Sequence, residues 1–234
     1  GIARPAGQAA LALATVLLGG LLAVVGQTYQ TGADTWELFA LWTALALPWT
    51  LAARNTAQWL GWALLLDLAV GLRLGLRTAD LWLPEAGVAL PLGLLDLVLA
   101  AAWAAVARWR PDLAGTLGAR LLAVVAIGLL SWSAMLHIVE APREMPFAIR
   151  AFAVTAWAAA TLAVGAVALR GRRDVPLLAM LMLGAIGVVT CALGKALLDD
   201  HPWSGLYLVM GLAVMVQATL AVVVLRRLAR GVDA

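Results

Sequence analysis

Along the 234 residues, long apolar runs alternate with short polar breaks, and the runs are of similar length. A helix rises 1.5 Å per residue, so about 20 mostly apolar residues are needed to cross a hydrocarbon layer roughly 30 Å thick. Cutting at the polar breaks predicts an all-α, polytopic transmembrane bundle with helices at about 8–26, 36–53, 57–77, 86–107, 119–139, 148–169, 175–198 and 203–225. The second is the shortest and holds Pro48, whose missing amide donor is expected to kink the helix or end it early. A re-entrant second segment would change the eight crossings to seven or nine. The breaks are short, so successive helices are expected to be antiparallel neighbours. With no Gly/Ser-rich linker or charge run, the chain reads as one domain over 1–234. The likeness of LLLDLAV (64–70) to GLLDLVL (93–99) hints at an internal repeat.

Composition strengthens the membrane reading. Hydrophobic residues make up 64% of the chain and charged residues 12%, against roughly a quarter charged in soluble domains. Mean hydropathy is +0.97. A water-soluble core has no room for so much apolar surface, whereas a bilayer covers it. The net charge of +3 therefore reads as loop charge and not as a nucleic-acid footprint. Eleven basic residues, including Arg54, Arg120, Arg172, Arg173, Arg226 and Arg227, fall on one side of the eight-span layout, and Arg73, Arg77, Arg143, Arg150 and Lys195 on the other. The positive-inside rule then predicts both termini in the cytoplasm. Trp36, Trp59, Trp82, Trp109 and Trp203 fall near the expected boundaries, as an aromatic belt does. Cys191 is the single cysteine, which excludes an internal disulfide. No succession of n-region, h-region and cleavage site marks a signal peptide.

Two charges stand where lipid would not tolerate them. Asp67 and Asp96 each lie about ten residues inside their predicted helices, about 15 Å deep, close to the midplane. An aspartate there costs roughly 2.5 kcal/mol or more on insertion scales, so both are expected to face protein or water. Ala63, Gly71 and Gly75 share the Asp67 face at helical spacing, and Gly93 and Ala100 flank Asp96. Small residues at these intervals let helix backbones approach closely. Two readings follow: a carboxylate pair sharing a proton, suited to a proton relay or a proton-coupled transporter, or two protonated aspartates bonded to backbone or hydroxyl groups that glue helices together. Arg73 lies farther round the helix near its outer edge, where it is expected to snorkel.

An outer cluster is formed by His137, Glu140 and Glu144 with Asp199, Asp200 and His201. Histidine and carboxylates are zinc-type ligands, but no spacing here is diagnostic, and boundary histidines are usually solvated. No metal and no cofactor are assigned. Lys195 has Cys191, not an acid, four residues before it and sits near a helix edge, which disfavours a retinal-type lysine. Ser131, Ser133, Thr155, Thr161 and Gln217 read as interhelical hydrogen-bonders. Nucleophile-elbow, zinc-helix, phosphate-loop and C-x-x-C motifs are all missing, so no catalytic residue is assigned.

The first polar break, Gln27, Thr28, Tyr29, Gln30 and Thr31, holds more amides and hydroxyls than a turn requires. Gly26 is expected to stop the first helix in a left-handed cap, and Asp34 with Glu37 to open the second as a capping box. The surplus is a candidate ligand or partner contact on the outer face. Leu21 to Trp49, LLAVVGQTYQTGADTWELFALWTALALPW, resembles a bacterial family of predicted inner-membrane proteins, domain of unknown function 2157. The resemblance rests on Gly26, Gln27, Tyr29, Gly32, Asp34, Leu38, Trp42, Leu45, Leu47 and Pro48. Thr43 departs from the small residue that follows Trp in the family, and the polar segment that typically precedes the first span is missing. The resemblance implies a multi-pass bacterial inner-membrane protein and names no reaction.

Three functions are then open. The preferred one is a non-catalytic membrane subunit or assembly protein, binding another membrane protein or itself through the Gly71/Gly75 and Gly93/Ala100 faces. The second is a proton-coupled small-solute transporter or permeation protein using Asp67 and Asp96. The third is an intramembrane enzyme on a lipid-linked substrate, with the outer cluster as its site. All three place the chain in a lipid bilayer and none involves nucleic acid.

Overall fold

The computed structural model describes residues 5–29, 32, 34–53, 55–76, 84–109, 116–139, 147–170, 174–198 and 206–230. These form eight α-helices: α1 (Pro5–Tyr29), α2 (Thr35–Ala52), α3 (Thr56–Arg73), α4 (Ala86–Trp109), α5 (Thr116–Val139), α6 (Phe147–Leu169), α7 (Val175–Leu198) and α8 (Leu206–Arg230). Each apolar run of the sequence becomes one helix. Among the described residues, six helices are long and apolar enough to cross a membrane, namely α1 and α4 to α8. The chain is a multi-pass membrane protein. The other two, α2 and α3, have 18 residues each, about 27 Å of rise, and carry Glu37, Gln58, Asp67 and Arg73, which leave them less apolar than the six.

Where the helix ends differ from expectation, local chemistry explains it. Gly26 does not stop α1, which runs three residues further to Tyr29; the positive-φ glycine of this break is Gly32, at φ 65°. Asp34 is the N-cap of α2 with extended backbone, but its side chain makes no capping bond, so the expected capping box is not closed. Asn55 does cap α3, accepting from the Ala57 amide at 3.0 Å. Pro48 sits inside a continuous α2 and does not end it.

The third helix ends sooner than its hydropathy suggests. The Leu76 amide donates to Gly71 O at 2.8 Å and the Gly75 amide to Leu72 O at 3.2 Å. With Gly75 at φ 99°, this is a Schellman cap, in which a left-handed glycine lets the chain turn back on the last carbonyls. Gly75 is thus a turn residue and not the second member of a helical G-x-x-x-G stripe.

The chain divides into two compact units, with the division running through α4 and α5. Residues 1–84 and 95–122 form the first. There α2 packs on α3 and on α1, over a core of small residues that includes Ala46, Ala53, Ala63 and Ala69. Two tryptophans press on glycines: a Cβ on Gly19 would fall within the Trp42 ring, and one on Gly118 within the Trp103 ring. Only a bare Cα lets an indole lie flat against a helix backbone there.

Residues 85–94 and 123–234 form the second unit. Ala126, Ile127, Leu130 and Ala134 of α5 are buried there, as are Ala153, Ala160 and Ala168 of α6, at spacings that place them on one helix face. Gly93 lies against Leu130, and Gly184 against the Ser131 hydroxyl. The packed pairs also include α6 with α7 and α7 with α8. Large apolar side chains such as Leu208, Leu212 and Leu220 of α8 stay exposed on the protein, as a helix solvated by lipid requires.

Candidate functional site

Asp67 of α3 and Asp96 of α4 come together inside the first unit, their carboxyl groups within hydrogen-bonding reach of each other. Asp96 is 1% exposed, among the most completely enclosed side chains of the protein. Apart from this mutual contact, both oxygens of Asp96 and Oδ1 of Asp67 are buried with no hydrogen-bond partner. Ala63, Gly71, Gly93 and Ala100 are all buried, so the small-residue faces beside the two acids are already covered within the chain. The early end of α3 shifts Asp67 from the middle of its helix: it lies six residues before Arg73, about 9 Å of rise. Arg73 is engaged elsewhere, its guanidinium 5.3 Å from the centroid of Trp36, at cation–π distance.

Next to this unbonded pair, the same unit holds a polar node in which donors and acceptors match. Thr15 in the middle of α1 is its hub. Its hydroxyl accepts from Trp49 Nε1 at 2.9 Å and from Gln58 Nε2 at 2.7 Å, and donates to Leu11 O at 3.0 Å. Its carbonyl accepts from Trp42 Nε1 at 2.8 Å. Gln58 Nε2 also lies 3.4 Å from the Thr50 hydroxyl, and Trp62 Nε1 donates to Thr43 O at 2.9 Å. Thr43, Thr50 and Gln58 are buried. Three helices are thereby tied through side chains that a purely apolar stripe could not orient.

The outer loop is only partly described. Gln27, Thr28 and Tyr29 form the last turn of α1 and are exposed, Tyr29 at 75%; Gln30 and Thr31 lie outside the described residues. Of the outer cluster, Glu140, Glu144, Asp199, Asp200 and His201 also lie outside them. His137 is described and, contrary to a solvated boundary residue, it is buried. Its Nδ1 lies 2.8 Å from Ser133 O and 3.3 Å from the Ser133 hydroxyl. A carbonyl only accepts, so Nδ1 carries the hydrogen. Among the described residues no three His, Cys, Asp or Glu side chains gather as a metal-holding group. Lys195 reaches from α7 to the last carbonyl of α5, Val139 O, at 3.3 Å. In the second unit, Trp157 Nε1 donates to the Ser131 hydroxyl at 3.0 Å and Gln217 Nε2 to the Thr190 hydroxyl at 3.4 Å.

With this geometry in place, the comparisons with known proteins add one segment. Residues 3–59 match the family model described as Predicted membrane protein (DUF2157). The match takes in α1, α2 and the start of α3, and with them Thr15, Trp42, Trp49, Thr50 and Gln58. It ends before Asp67 and Asp96. No curated protein and no solved structure matches the chain.

Sequence reasoning missed the Thr15 node. One signal was present: Trp42 and Trp49, and likewise Thr43 and Thr50, recur at seven-residue spacing and so share a helix face. Gln58, early in an apolar run, supplied the complementary amide.

Proposed function

We propose that the Asp67–Asp96 pair is a membrane-embedded protonation site, and that the chain couples proton movement to the passage of a small solute. The observation that carries this reading is the lack of other partners. An aspartate kept as helix glue donates its proton to a carbonyl or hydroxyl, and Asp96 has neither, although it is 1% exposed. Two carboxyl groups side by side in low dielectric repel one another strongly when both are charged, so a proton between them relieves the pair. Such a pair takes up or gives up one proton according to what else approaches it. The subunit reading preferred on sequence alone loses weight, because the faces beside the two acids are spent within the chain and Gly75 is a capping residue. The side preference of the basic residues supports both termini in the cytoplasm of a bacterial inner membrane.

Proteoliposomes test the proposal. Under an imposed proton gradient, wild-type protein is expected to take up protons, and the isosteric Asp67→Asn and Asp96→Asn variants to lose that uptake while eluting as folded protein. Equal uptake by all three would remove the proton role. Stoichiometric co-purification with one membrane partner, with no proton movement, would restore the subunit reading.

A further inference from the structure

Three tryptophans of the first unit enclose a cavity that the proton pair does not explain. Trp59 meets Trp62 edge to face with centroids 6.3 Å apart, and Trp103 with centroids 6.1 Å apart. Together with Ala63, Ala102 and Val106 they line a space of about 110 Å³. Ala102 and Val106 are exposed, so the cavity opens on the side of the unit. Being open on that side, it can receive one end of a ligand while the rest of the molecule stays outside.

The chemistry of the wall narrows the occupant. The lining is almost wholly apolar, and the Trp62 ring nitrogen is already spent on Thr43 O. A sugar, a nucleotide or a carboxylate would lose its hydration there and gain no hydrogen bonds in return. Indole rings carry negative faces that attract cations, most usefully those without N–H groups to satisfy. Charge points the same way. Asp67 lies four residues beyond the lining residue Ala63 on α3, and Asp96 seven residues before Trp103 on α4, each on the corresponding helix face. Asp96 is 1% exposed, and its oxygens have no partner but Asp67. Arg108, the basic residue of α4, turns back onto Ala104 O at 3.3 Å.

We infer that this tryptophan-walled cavity, with the Asp67–Asp96 pair one to two turns away along the same helix faces, binds a small quaternary or alkylated ammonium group. The inference rests on the proton reading for its charge: a pair that gives up its shared proton is the anion that balances the ligand. The same ammonium chemistry is offered by a free organic cation and by a choline lipid headgroup.

Phenyltrimethylammonium is the probe, titrated into the purified full chain in choline-free detergent and followed by tryptophan fluorescence and calorimetry, with tert-butylbenzene as its neutral isostere. Saturable binding of the cation is expected, with the isostere at least tenfold weaker. Trp59→Leu and Asp96→Asn are each expected to weaken the cation about tenfold, the scale of one lost desolvated cation–π contact or charge. Asp96→Asn keeps the side-chain shape, and its elution profile checks folding. Nanodiscs made with phosphatidylcholine compete with the probe if the headgroup is the natural source, and those with phosphatidylglycerol do not; equal affinity in both assigns a free cation. Binding of the isostere as tightly as the cation, or binding indifferent to Asp96→Asn, overturns the inference. Proton uptake that depends on the acids, with no binding of the probe, overturns it and leaves the proton reading in place. Binding that depends on Asp96, with no proton uptake, overturns the proton reading alone.

Discussion

The first unit buries polar groups in two places and treats them in opposite ways. Around Thr15, every indole and amide donor described has an acceptor, and one hydroxyl receives two of them. At Asp67 and Asp96, three carboxyl oxygens are enclosed with nothing but the other acid in reach. Buried polar groups are normally satisfied because an unmade hydrogen bond in an apolar setting costs about 1–3 kcal/mol. The first arrangement stabilises the unit. The second leaves that stabilisation unused. The residues matched by the family model fall on the satisfied side of this contrast.

The contrast can be broken by substitution, with the largest effect expected at the hub. Thr15→Val keeps the shape but strips the acceptor from Trp49 and Gln58, and a loss of about 2–4 kcal/mol is expected from two orphaned donors, read as a lower midpoint in thermal unfolding in detergent. Gly19→Ala should follow closely, since the added Cβ must displace Trp42 and with it the bond to Thr15 O; overpacking of this kind costs about 1–3 kcal/mol. Asp96→Asn should change stability by less than about 0.5 kcal/mol, because the amide still offers Asp67 a hydrogen bond and no bond outside the pair is lost. A large destabilisation by Asp96→Asn would mean that the acids are glue after all.

Much of this fold was legible in the sequence, and for one reason. A bilayer demands about 20 apolar residues per crossing and satisfies no backbone group, so each run had to become a helix. The meeting of Asp67 and Asp96 was legible for the same reason, since acids at that depth have to face protein. The helix ends were less so. Gly26 has the composition of a stop signal, but a left-handed glycine cap needs positive φ, and here Gln27 to Tyr29 carry the helix past Gly26. Gly75 looked like a packing residue because hydropathy does not register the bonds to Gly71 and Leu72. Thr15 was hidden in an apolar run, where a lone threonine often bonds only its own helix, and its partners lie on two other helices. The pressing of Trp42 on Gly19 is likewise a long-range contact with no local signature.

One further consequence follows from the length of α2 and α3. At 18 residues each, beside neighbours of 23 to 25, they rise about 27 Å, a few ångströms less than the hydrocarbon core of roughly 30 Å. The early end of α3 also sets Asp67 off centre in its helix. From the Arg73 end of α3 the carboxyl of Asp67 is about 9 Å away, and from the Thr56 end about 16 Å. The acid of α3 is therefore held nearer the capped end of its helix than the end where Asn55 opens it.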